Sequence, residues 1–82
     1  MIFTHEDNGP YYVKRLDFGP RFTTVAAGFP RRTAAWAWLL DWSLQHGYSV
    51  LDYETDKEND AIDAMLVKDD TMYQYAVERN KD

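Results

Sequence analysis

Between residues 52 and 60 every second side chain is a carboxylate: Asp52, Glu54, Asp56, Glu58 and Asp60, with Asp63 following three residues on. Carboxylates crowded in this way serve two kinds of chemistry, cation coordination and recognition of a basic surface. An extended chain sends alternate side chains to one side about 6.6 Å apart, so the row would present a regular line of negative charge. That interval is comparable with the charge spacing of a polynucleotide backbone. As a cation site the row fits less well. Residues 52–63 put acids at positions 1, 3, 5, 9 and 12 of an EF-hand-like calcium loop. Yet Lys57 stands where a glycine makes the sharp turn, Asn59 where the loop is apolar, and Asp63 where a glutamate chelates. The row therefore reads as a recognition element, with neither a metal nor a cofactor expected.

Other residue types with chemical potential are scattered. Asp17, Phe18 and Gly19 spell the metal-binding tripeptide of protein kinases, but none of the other kinase elements fits in 82 residues, and the tripeptide reads as a turn. His5 and His46 lie far apart and lack paired-ligand spacing. Ser43 and Ser49 have no glycine elbow beside them. No catalytic residue is assigned, and the chain reads as non-enzymatic, since nucleophile, base and oxyanion donor cannot be assembled from these residues.

Composition narrows the partner. The net charge is −5 and unevenly spread: residues 1–41 sum to +1 and residues 42–82 to −6. Direct binding to nucleic acid draws on lysines and arginines that neutralise phosphates, so this balance disfavours it and favours a larger protein with a basic surface. Lys14, Arg15, Arg21, Arg31 and Arg32 are the exception, able to form a local basic patch if the fold gathers them. The absence of cysteine excludes disulfides and thiolate chemistry and permits a reducing compartment. The first ten residues lack the charged and apolar regions of a signal peptide, and the nearly apolar stretch 34–40 is too short to span a bilayer. A cytoplasmic protein without membrane contact is expected.

The elements that must hold these groups follow from pattern. With 45% hydrophobic and 16% aromatic residues, residues 1–82 form one ordered domain near the lower size limit for a single core. A helix over 31–46 is bounded by Pro30, taken as its first position, and by Gly47. Residues 11–17 and 21–27 are β-rich and flank a turn at 18–20. Asn8 and Gly9 mark a further turn, which would let 1–5 pair as a short strand. Residues 48–53 form a strand that runs into the acidic row, and the row itself leaves the sheet as a loop, because nothing apolar occurs from Glu54 to Asp60. Residues 61–67 and 72–78 alternate, with Ile62, Ala64 and Leu66 on one side of the first and Tyr73, Tyr75 and Val77 on one side of the second. Asp69 and Asp70 turn between them. The order is ββ-α-βββ: an α+β domain whose mostly antiparallel sheet carries one helix.

On a helical projection Ala35, Trp36, Leu39 and Leu40 face the sheet with Ser43 at their centre, while Ala34, Asp41 and Gln45 face away. Trp38 falls beside the polar sector and Trp42 at the margin. Either a covering arm or loop buries these two rings, or they anchor a partner. Asp52, Glu54, Asp56, Glu58, Asp60, Asp63, Trp38 and Trp42 are accordingly the candidate binding residues of a small acidic protein-binding module. In size, acidity and lack of motifs the chain resembles small inhibitors encoded by bacteriophages and other mobile elements, the anti-CRISPR class among them. The resemblance is of general character, carries over no residue, and implies inhibition of a host nucleic-acid-handling protein, as a DNA mimic in its sharpest form. Two alternatives stand beside it: an assembly role as a small homodimer or homo-oligomer, and nucleic-acid binding through the arginines of the first half.

Overall fold

A computed structural model of the chain describes residues 9–80. The strand expected at 1–5 and the turn residue Asn8 lie outside the described residues. Five strands and one helix follow in the order β1 (Gly9–Leu16), β2 (Phe22–Gly28), α1 (Arg32–Gln45), β3 (Ser49–Asp56), β4 (Ala61–Lys68) and β5 (Thr71–Arg79). The sheet is antiparallel throughout, with spatial order β2-β1-β5-β4-β3. This is the expected ββ-α-βββ domain of the α+β class.

Local chemistry accounts for the turns. Asp69 and Asp70 both hold positive φ, 53° and 66°, as a two-residue hairpin requires, and they set Lys68 opposite Thr71. Gly47, at φ 82°, closes the helix: its N–H reaches the Leu44 carbonyl at 3.4 Å and the Tyr48 N–H reaches that of Ser43 at 2.8 Å, the paired bonds of a Schellman motif. The helix starts later than expected. Pro30 stands before it rather than in it, because Phe29 bridges to Tyr11 and Arg31 is still extended at φ −141°.

The helix lies on one sheet face and contributes Ala35, Leu39 and Ser43 to the interior. These meet Val13, Ala26, Ile62, Leu66, Tyr75 and Val77, so the inward sides of β4 and β5 are those that alternation assigned. Two small residues in the inward line let the helix approach closely, and that fixes its rotation. Leu40, expected to face the sheet, is thereby turned outward and is 39% exposed.

Candidate functional site

The acidic row does not leave the sheet at Glu54. β3 continues through Asp56, and only residues 57–60 form the turn into β4. The expectation of a loop failed because an edge strand needs no buried side chain: pairing with β4 holds it, although seven of its eight residues are exposed. Register then sorts the carboxylates. Thr55 lies opposite Ile62 and Tyr53 opposite Ala64, both of which face the helix. Alternation therefore sends Asp52, Glu54 and Asp56 to the opposite face, which is uncovered among the described residues. Glu54 lies directly across from Asp63 on that face.

The same parity brings in a residue from far along the chain. Asp63 pairs with Ala76, so Glu78 belongs to the uncovered face as well. One oxygen of Glu78 accepts the Tyr12 hydroxyl at 3.0 Å and the Lys14 ammonium at 3.0 Å. Asp52, Glu54, Asp56, Asp63 and Glu78 thus share one surface spanning β3, β4 and β5, with Lys14 offsetting part of their charge. Asp63 registers the crowding. Partial burial pushes its carboxyl above the ordinary aspartate value, and Glu78, Asp56 and Glu54 push it further, against Lys14.

The remaining members of the row have separate fates. Asp56 also organises the turn: it accepts the Glu58 N–H at 3.1 Å, the Asn59 N–H at 3.2 Å and the Asn59 side-chain amide at 2.8 Å. The Asn59 bonds, then that of Glu58, hold its carboxyl below the ordinary aspartate value. Glu58 is exposed on the turn. Asp60, at φ 56°, swings to the helix side, where it accepts the Tyr11 hydroxyl and pairs with Arg32 at 2.8 Å. It ties β1, the helix start and the turn together.

Trp38 and Trp42 are half-buried against the core. Trp38 lies between Phe29 at 5.9 Å and Trp42 at 6.0 Å, and Trp42 continues the stack to His46 at 4.6 Å and Tyr48 at 5.3 Å. Phe18 and Phe22 are exposed at the β1–β2 turn, and a further open apolar surface lies on the other flank of the helix. There Trp36 meets Tyr53 of β3 at 5.1 Å, and Leu51 and Tyr53 are 62% and 57% exposed.

Of the five cations of the first half, Lys14, Arg15 and Arg32 do not gather. Lys14 and Arg15 are consecutive in β1 and so point to opposite faces. Arg15 pairs with Asp17 at 2.9 Å, and Arg32 with Asp60, at the helix start. Lys14, expected in a basic patch, instead joins the carboxylates; no expectation covered Glu78 and Tyr12, although the alternation of 72–78 and the turn at 69–70 imply that Glu78 and Asp63 share a face. Among the described residues no group of three or more His, Asp or Glu side chains converges on a metal position, and no helix is long and apolar enough to cross a membrane. Ser43 is buried within the helix–sheet interface and Ser49 lies exposed at the start of β3. What the uncovered face offers is ordered negative charge. No protein family, curated protein or solved structure matches the chain.

Proposed function

We propose that the protein is a non-enzymatic binding module that occupies a basic surface of a larger protein. One observation carries this reading: the acidic row is held as a strand, so that Asp52, Glu54 and Asp56 join Asp63 and Glu78 on one uncovered sheet face. Carboxylates held in register need no ordering on contact, so less conformational entropy is lost than with a mobile loop. In the finer form of the proposal the basic surface is the nucleic-acid groove of a host enzyme, and the module inhibits by competing for it. The dispersal of Lys14, Arg15 and Arg32 weighs against direct contact with nucleic acid.

The test begins with a pulldown from the native host and proceeds to surface plasmon resonance on the captured partner. Changing Asp52, Glu54, Asp56 and Asp63 together to their amides should slow association about tenfold or more at low salt, with a smaller effect on dissociation. Unchanged association would remove the acidic face as the recognition element. Adding nucleic acid as competitor examines the finer form, which requires mutually exclusive binding.

A further inference from the structure

We infer that the free edge of β3 accepts an extended segment of the partner as a sixth strand, and that this segment alternates basic with apolar residues. The inference deepens the binding reading above and rests on it. Among the described residues β3 is the last strand of the sheet and pairs on one side only, with β4. An exposed edge strand presents unpaired backbone donors and acceptors, the template for strand addition.

The two sides of this edge differ in chemistry. Asp52, Glu54 and Asp56 line the uncovered face. On the helix side stand Val50, Tyr53 and Thr55, with Leu51 at the bulge where the β3–β4 register shifts. Tyr53 packs on Trp36, and Leu40 follows Trp36 one turn along the same flank of the helix. An added strand would therefore meet carboxylates with one set of alternate side chains and an apolar ledge with the other. Charge complementarity selects lysine or arginine for the first set, and the exposed Val50, Leu51 and Tyr53 select apolar residues for the second.

A second copy of this chain is a poor occupant. Two β3 strands paired antiparallel about Tyr53 would set Asp52 of each against Glu54 of the other, and like charges directly opposite are destabilising. A basic segment from a different protein reverses the sign of that term.

The experiment uses the full chain and two short amidated peptides of identical composition, one alternating lysine and valine and one with the lysines and valines in separate blocks. Amide hydrogen exchange followed by NMR reports on residues 50–56. The alternating peptide should slow exchange in β3 about tenfold or more, and the block peptide should not. Combining Leu51→Thr with Tyr53→Thr, which keeps β propensity and leaves every carboxylate in place, should abolish that protection and speed dissociation of the pulldown partner. Equal, salt-sensitive binding of both peptides without protection of β3 would overturn edge pairing and leave the acidic-face reading standing. So would unchanged partner binding by the Leu51/Tyr53 variant. A concentration-dependent dimer by light scattering, with β3 protected in the absence of peptide, would overturn it in favour of the second copy. Failure of the amide variant above to affect the partner removes the underlying reading instead.

Discussion

Asp60 and Glu58 belong to one acidic row in sequence and to different functions in space. Asp60 holds Tyr11 and Arg32, whereas Glu58 has an exposed side chain at the turn. Asp60→Ala removes both bonds and puts a Cβ-bearing residue without a local acceptor at φ 56°, so we expect a loss of about 2 kcal/mol in urea denaturation. Glu58→Ala should stay within about 0.5 kcal/mol of the parent. Equal losses would refute the division of roles. Asp63 gives a pH signature of the opposite sense. Its folded pKa is raised, so its ionisation destabilises the fold, and the associated stability is present at low pH and lost as pH rises through that value. Asp63→Asn should therefore melt higher than the parent at neutral pH, with the difference vanishing below the ordinary aspartate range. A difference that persists at low pH would point to packing instead of charge. Asp56, whose value is lowered, contributes with the other sign: its stabilisation of the turn is present at neutral pH and fades as the pH falls.

The helix is held by its packing rather than by its ends. Its N-cap residue, Arg31, makes no side-chain capping bond, and its first turn has no acidic residue. Only the C-terminal end is closed by a well-formed motif. Leu39 is fully buried between Ala35 and Ser43, so Leu39→Ala should cost about 2–5 kcal/mol through lost burial and the cavity left behind. A thermal melt unchanged by this substitution would contradict the rotation that turns Leu39 to the sheet. The deficient N-terminus predicts an improvement. Arg31 already has extended backbone and an exposed side chain, so Arg31→Asp should add about 1 kcal/mol by offering a side-chain acceptor to N–H groups of the first turn and opposing the helix dipole. An unchanged urea midpoint would mean that an unseen partner already satisfies those groups. β3 depends on its neighbour in the same way, since its ladder with β4, and not its own side chains, keeps it in the sheet.

Across the whole molecule, one cause should act with two signs. Carboxylates crowded on the uncovered face repel each other, so raising the ionic strength from low to physiological should raise the melting temperature while slowing association with a basic partner. A fall in both would show that attractive pairs such as Lys14–Glu78 dominate the face. The α+β class, the antiparallel hairpin at 69–70, the inward sides of β4 and β5 and the extent of the helix to within one residue at each end were legible because they depend on short-range physics. Period-two and helical alternation, turn residues with tolerated positive φ and a closing glycine all act over a few neighbours. The acidic row was legible as a cluster but not as a surface. Nothing local marks residues 54–56 as a strand, because the partner that holds them, β4, supplies the backbone bonds across a turn with no apolar residue. Register brings Glu78, Lys14 and Tyr12 to the carboxylates, while the positive φ of Asp60 in the turn sends it to the helix side. The rotation of the helix, which buries Ala35 and exposes Leu40, depends likewise on how closely two elements approach. Local pattern determined which elements form, while long-range pairing and packing decided which side chains meet, because a one-residue slip in register reverses every face.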